Sequence, residues 1–352
     1  MRSLRIRRLH FAPAYARALQ MTHLTPFGKI YGKIANLRNT LYDKGTLKSF
    51  AFGAKTISVG NITTGGTGKT PLVAYIASVL AERGEKVCIL TRGYGRKNPK
   101  KRIVVSDGTD AMISGDEPLE LARMLRNKAI IVADADRAAA AKWAKNKFGV
   151  TAFILDDGFQ HRRAKRDLDV VCIDAANPFG NSKMLPAGIL REPLENLRRA
   201  DTVVLTRANL AEDLDELHQR ISTLTPAPIF NCRTRLDRIV SLQDFQNGGE
   251  GKELLRTEKV FAFCGLGNPA DFFRTIGDRF DLRGTRAFRD HHVYSQTDIE
   301  AIENEAGAAG AEVLITTGKD AVKLDKTDFR LPCFVSSIEI EIDNEDAFLK
   351  ML

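Results

Sequence analysis

Residues 60–71 read GNITTGGTGKTP, with KTISVG (55–60) before them and PLVAYIASVLAER (71–83) after. The first flank is a short apolar strand and the second an amphipathic helix that Gly84 ends, so the glycines sit in a strand–loop–helix unit. In such a loop the glycines let backbone N–H groups turn toward phosphate oxygens at a helix N-terminus, whose dipole adds attraction. Thr63, Thr64, Gly65, Gly66, Thr67, Gly68, Lys69 and Thr70 therefore form the candidate nucleotide-phosphate site. Lys69 would bridge β- and γ-phosphates, and the Thr70 hydroxyl would ligate Mg²⁺. The strict pattern G-x-x-x-x-G-K-[ST] asks for glycine at 63, where this chain has Thr63.

Further short apolar runs fall at 86–91, 129–134, 151–155, 168–173 and 201–206, separated by helical patterns at 117–126, 136–147, 194–199 and 211–223. Buried strands alternating with helices predict an α/β fold of the P-loop NTPase-like, doubly wound type with a mostly parallel sheet. After Pro226 and Pro228 the texture changes to a long strand at 229–242, a polar insertion at 243–258 and a second α/β unit. The reading is a basic segment at 1–50, a nucleotide-binding core at 51–228 and a smaller α/β domain at 229–352.

The chain has 352 residues and a net charge of +9. Residues 1–50 carry ten basic side chains against one acid, Asp43, so the rest is net neutral. Basicity confined to one end disfavours a nucleic-acid-binding ATPase and points to one anionic contact. That end also holds Leu4, Ile6, Leu9, Phe11, Tyr15, Phe27, Ile30 and Tyr31. Two readings are open: a helix lying on an anionic membrane surface, or a helix packed on its own domain with a solvated basic face. No run is long enough to span a bilayer. The five scattered cysteines form no C-x-x-C and suit a reducing compartment.

Chemistry-bearing residues follow the strands. Asp156 and Asp157, in TAFILDDGFQHRR, end an apolar strand; they either hold Mg²⁺ or form a salt bridge to Arg162 or Arg163. Asp116 and Glu117, in SGDEP, begin a helix, where capping competes with catalysis as the explanation. His291 and His292 lie in FRDHHVYS and suit either solvent or chemistry. TRGYGR supplies Arg92 and Arg96, and LREP supplies Arg191 and Glu192. GLGNP (265–269) lacks the third glycine of a dinucleotide fingerprint and reads as a strand–helix turn.

Together, GNITTGGTGKTP, TRGYGR, GDEP, DDGFQHRR, LPAGILREP, FCGLGNP and DHHVY, in this order from about residue 24 to 325, resemble the tetraacyldisaccharide 4′-kinase family, the lipid A 4′-kinases. In that family the first loop glycine is also absent, so Thr63 becomes ordinary. The resemblance implies ATP-dependent phosphorylation of the 4′-hydroxyl of an acylated glucosamine disaccharide 1-phosphate, at the cytoplasmic face of a bacterial inner membrane. It implies Asp116 as catalytic base acting with His291, Asp157 and Thr70 as metal ligands, and Asp156 as orienter or second ligand. His161 and Glu192 become active-site candidates, and Arg92, Arg96 and Arg191 candidates for phosphate. One departure is Thr317-Gly318-Lys319-Asp320, where the family commonly has Thr-Glu-Lys-Asp. The competing class is a membrane-docked P-loop switch that discards phosphate; it would need no acceptor site or proton-accepting dyad. The guanine-selecting Asn/Thr-Lys-x-Asp motif is not matched.

Overall fold

The computed structural model describes residues 24–249 and 258–352. The N-terminal part of the basic segment, residues 1–23, lies outside the described residues, as do residues 250–257 of the polar insertion.

Twelve strands form one sheet: β1 (Lys55–Gly60), β2 (Val87–Thr91), β3 (Ile103–Val105), β4 (Ala129–Ala133), β5 (Ala152–Asp156), β6 (Leu168–Asp174), β7 (Thr202–Thr206), β8 (Ile229–Ser241), β9 (Lys259–Cys264), β10 (Asp281–Ala287), β11 (Val313–Thr317) and β12 (Cys333–Ile342). Their spatial order is β10-β9-β11-β12-β8-β7-β6-β1-β5-β2-β4-β3. Among the described residues only β3 with β4 and β12 with β8 pair antiparallel; every other ladder there is parallel. The P-loop strand β1 sits between β5 and β6, with Val59 opposite Asp156. Parallel pairing places the carboxyl ends of β1, β2, β4, β5, β6 and β7 along one edge, where open α/β sheets bind ligands.

Strand β8 joins the two parts of the sheet. Ile229, Phe230 and Asn231 pair with β7, and Cys232 to Ser241 run antiparallel to β12. The sheet is therefore continuous through residue 229. The last residues also return to the core: Ile340, Ile342, Phe348 and Leu352 share a buried cluster with Leu72, Val73 and Ile76 of helix Lys69–Glu82. Arg83 donates to the Leu349 carbonyl at 2.8 Å.

Helix Thr25–Asp43 packs with an unusual face. Its buried residues are Gly28, Gly32 and Asn39, and a Cβ on Gly28 would approach the Met184 carbonyl to 2.9 Å. Phe27, Ile30, Ile34 and Leu37 are instead between 56% and 62% exposed. The small residues bring this helix onto the core while its large apolar side chains stay in solvent.

One close approach fixes the centre of the edge. A Cβ on Gly60, at the end of β1, would lie 2.5 Å from Phe159 N and 2.6 Å from Phe159 Cβ. Gly60→Ala is expected to destabilise the fold by about 1–3 kcal/mol through overpacking, read as a lower denaturation midpoint.

Candidate active site

The first half of the glycine loop is strapped to residues 189–191. Thr64 N donates to Ile189 O at 2.8 Å, Arg191 N donates to Ile62 O at 2.7 Å, and Thr63 bridges Leu190. Thr63 is buried, its carbonyl accepts from Asn61 Nδ2 at 2.9 Å, and it is not among the residues with positive φ. Nothing about its backbone demands glycine. Gly65 and Gly68 do adopt left-handed φ, 103° and 67°, which side chains resist. An added Cβ on Gly65 or Gly66 would meet nothing within 4 Å, so the loop leaves open backbone where a phosphate would approach. The Thr206 hydroxyl donates to Thr67 O at 2.9 Å and ties the loop to β7.

Lys69 Nζ lies 3.5 Å from Asp157 Oδ1. Asp157 also accepts from Arg191 Nη1 at 3.0 and 2.7 Å on its two oxygens. The salt bridge left open by the sequence thus falls on Arg191 and Lys69. Arg162 pairs instead with Asp43, and Arg163 with Asp136. Burial works to raise the Asp157 carboxyl, but Lys69 and Arg191 overcome it and hold it below the usual carboxylate range. Asp157 has φ 51°, a strained turn of the kind that gathers at functional sites.

Asp156 is in a different environment. It is 4% exposed and accepts from the Thr91 hydroxyl at 2.8 Å. Burial, with Glu117 adding negative charge, pushes its carboxyl up to about 6. A buried carboxylate beside a second acid is a site that a cation would relieve.

Arg137 was missed by sequence reasoning. The residue is 7% exposed, and its guanidinium is close enough to Asp156, Asp157 and Arg92 to feel all three charges. It opens helix Arg137–Phe148 after the N-cap Asp136, and only the strand-end position of ADADR could have marked it. Burial, then Arg137 and Arg166, push His161 down to about 4, so it sits as a neutral imidazole.

Asp116 begins helix Asp116–Met124, just after Gly115, whose φ is 86°. A Cβ on Gly115 would lie 2.7 Å from Tyr94 O, so the GYGR loop and the helix start touch. Asp116 Oδ2 is 3.1 Å from His291 Nδ1. That hydrogen bond raises the His291 pKa above its ordinary value, against partial burial and Lys319. His291 follows β10 and, like Asp157, has a left-handed φ, 59°. His292 separates from it: its ring stacks on Phe288 at 4.5 Å, and its Nε2 lies 3.3 Å from the capping residue Asp298. Lys319, in the departing Thr-Gly-Lys-Asp stretch, pairs with Asp290 at 2.7 Å.

Two candidates have structural partners. Arg96 is 5% exposed and gives its guanidinium to the carbonyls of Lys101, Pro99 and Ala133. Glu192 is 1% exposed and accepts from Asn39 at 2.8 Å and Arg199 at 2.6 Å, which fastens helix Thr25–Asp43. Arg92 and Glu117 lie at the edge, beside Arg137 and Asp156 respectively.

A glycine loop leading into a helix, its lysine beside a strand-end aspartate, and a His–Asp pair nearby define a P-loop phosphotransferase. Residues 20–352 match the family described as tetraacyldisaccharide-1-P 4′-kinase. A tetraacyldisaccharide 4′-kinase of Anaeromyxobacter sp. (strain K) is 43% identical over 301 residues, covering 83% of this chain and 78% of the relative. That of Desulfotalea psychrophila is 37% identical over 340 residues, covering 92% and 94%. A crystal structure of LpxK from Aquifex aeolicus in complex with ATP superposes with a TM-score of 0.76 at 34% identity, covering 94% of this chain and 97% of that one. The chain belongs to the tetraacyldisaccharide-1-P 4′-kinase family; it is a kinase of lipid A biosynthesis with the P-loop-like α/β fold expected from sequence.

The neutral His161 gives a pH test. Well above pH 6.5 its imidazole is uncharged in folded and unfolded chains alike and adds no pH dependence. Below that, the unfolded chain takes up a proton that the folded chain refuses until about pH 4, so stability is lost as pH falls through this window. His161→Gln should lower the melting temperature less steeply than wild type between pH 6.5 and 4, by a few degrees overall, in a thermal-denaturation series.

Proposed function

We propose that the chain transfers the γ-phosphoryl group of ATP to the 4′-hydroxyl of a tetraacylated glucosamine disaccharide 1-phosphate, with Asp116 as the base. The observation that carries the role of Asp116 is its 3.1 Å contact with His291 Nδ1. As the hydroxyl oxygen bonds to phosphorus and the bond to the ADP oxygen breaks, the hydroxyl proton passes to the Asp116 carboxylate. His291 orients that carboxylate and shares the positive charge. The hydrogen-bonded imidazole fixes the carboxylate where it can take the proton. Most of the remaining work is charge neutralisation. Lys69 and the open N–H groups of Gly65 and Gly66 suit the β- and γ-phosphates, with Arg92, Arg137 and Arg191 contributing positive charge nearby.

Among the described residues no three His, Cys, Asp or Glu side chains gather as a metal centre. Mg²⁺ is compatible with that, because it takes one or two carboxylates and leaves its other positions to phosphate and water. The buried Asp156, with Glu117 beside it, fits such a cation. Asp156 and Thr70 would hold it, with Asp157 adjoining; the ion would neutralise charge on the transferring phosphate.

The acceptor is a lipid, and helix Thr25–Asp43 offers it a surface. Phe27, Ile30, Ile34 and Leu37 are exposed beside Lys29 and Lys33, an arrangement suited to the interface of an anionic bilayer. No described helix is long and apolar enough to cross a membrane. The proposed location is peripheral, on the cytoplasmic face of the inner membrane.

Two measurements test these readings. Label from γ-labelled ATP should appear on the detergent-solubilised acylated disaccharide 1-phosphate, and Asp116→Asn should cut turnover by about 10²-fold or more with ATP binding unchanged. Label found only as free phosphate would favour a nucleotide switch, and normal turnover in Asp116→Asn would remove the assigned base. Separately, serine at Phe27, Ile34 and Leu37 together should abolish most binding to anionic vesicles while leaving the melting temperature within a few degrees. Unchanged vesicle binding would sink the docking surface.

A further inference from the structure

Asp116 has a second neighbour that neither its motif nor the phosphate loop explains. Lys323 follows the short helix Gly318–Ala321 at the end of β11, and its side chain is only 3% exposed. Its ammonium lies 2.9 Å from Asp320 Oδ1 and 3.9 Å from Asp116 Oδ2, and over the Tyr294 ring at 5.5 Å from the centroid. A buried ammonium needs partners, and Asp320, three residues earlier, suffices for that. The contact with Asp116 goes further, because it joins residues more than 200 positions apart. It also falls on the oxygen that His291 engages, Oδ2. Asp320 is itself fixed: Oδ2 accepts from Gly265 N at 2.9 Å and from the Thr317 hydroxyl at 2.8 Å. The other charged groups around this cluster are Glu117, Glu120, Lys319 and Asp290.

We propose that Lys323 is a positioning residue for phosphoryl transfer: paired with Asp320, its ammonium acts with the His291 ring on Asp116 Oδ2, leaving Oδ1 to take the acceptor proton. This rests on the reading of Asp116 as base. Lys323 touches no reacting atom; it restricts the rotation of the carboxylate that does. A misaligned base costs turnover and leaves nucleotide affinity alone, since the ammonium is not part of the phosphate loop.

The test is steady-state kinetics of the full chain with ATP and the acylated disaccharide 1-phosphate. The variant Asp320→Asn/Lys323→Met removes both buried charges together, so no lone ion is left inside the protein. Its kcat is expected to fall about ten- to a hundredfold while KM for ATP stays within about twofold. Wild-type kcat overturns the proposal, and so does a fall in kcat matched by an equal rise in KM, which marks a general structural role. Lys323→Gln, which removes only the ammonium charge, is judged by the same criteria if the double variant does not fold. A second readout is coupling: in a His291→Asn background the Lys323 substitution should cost much less than in wild type, because the two act on one oxygen. Equal costs in both backgrounds overturn the proposal. Asp116→Asn, run alongside, separates the two ideas. Normal turnover there removes the base assignment itself, whereas a low value there with normal turnover in the Lys323 variants removes only the role of Lys323.

Discussion

The site depends on a place where two strand ends approach with no side chain between them. Gly60 ends β1 and Gly158 follows the end of β5. A Cβ on Gly60 would press on Phe159, and one on Gly158 would lie 2.5 Å from Ser58 Oγ. The missing side chains let the glycine loop and the Asp156-Asp157 pair leave the sheet side by side. Only then does Lys69 come within 3.5 Å of Asp157. The left-handed turn at Asp157 follows from the same crowding, since the chain must bend sharply to clear β1. The strain belongs to a site that brings opposite charges together, and the pairs with Lys69 and Arg191 offset it.

Adjacent carboxylates at the strand end are set apart by burial and partners. Asp157 faces two cations and stays ionised; Asp156 faces Thr91 and Glu117 and is pushed toward its neutral form. Two like residues in sequence thus become a charge-paired group and a group with unspent affinity for a cation. A similar division operates in residues 191 and 192. Arg191 turns to Asp157 and the phosphate loop, while Glu192 turns to Asn39 and Arg199. One short loop thereby connects the chemistry with the helix whose apolar residues face solvent.

Much of this was legible in the sequence because it rests on local rules. The parallel strands of the nucleotide half are apolar runs of five to seven residues, and their burial is nearly complete. The glycine loop, the strand-end aspartates and the Asp116–His291 pair all sat in recognisable motifs. The elements that escaped have weak local signals. Strand β3 has three residues, and β10, DLRGTRA, is a polar edge strand held by pairing with β9. Helix Gln296–Ala308 did carry a signal, the Ser295–Asp298 capping box, which was overlooked. For Arg96 and Glu192 a motif position does not say which way the side chain turns; their partners are carbonyls and a helix far along the chain. Arg137 and Lys323 were invisible for the same reason, since each gains its meaning from groups that only the fold brings near.

The partners of Asp116 carry a consequence for how the site is assembled. The carboxylate stands on a helix of the nucleotide-binding half, whereas His291 and Lys323 follow strands β10 and β11 at the other end of the sheet. The contacts that hold it are therefore tertiary, and no local sequence preference maintains them. Other links cross in the same region: Arg123 pairs with Asp325 at 2.5 Å, and Arg207 reaches both Asp174 and, at 3.6 Å, Asp271. Arg207 also donates to the Gly66 carbonyl at 3.3 Å, so the phosphate loop itself is tied to the far half. The phosphate loop and the base are thus each held by side chains from both halves, through Arg207 in one case and through His291 and Lys323 in the other. The Arg123 and Lys323 side chains are each only 3% exposed, so their pairs are shielded from water more than surface pairs are. An apolar seam, with Ile340, Ile342, Phe348 and Leu352 packed against helix Lys69–Glu82, already joins the two halves; the polar contacts add the register of base and histidine that non-directional apolar packing does not specify.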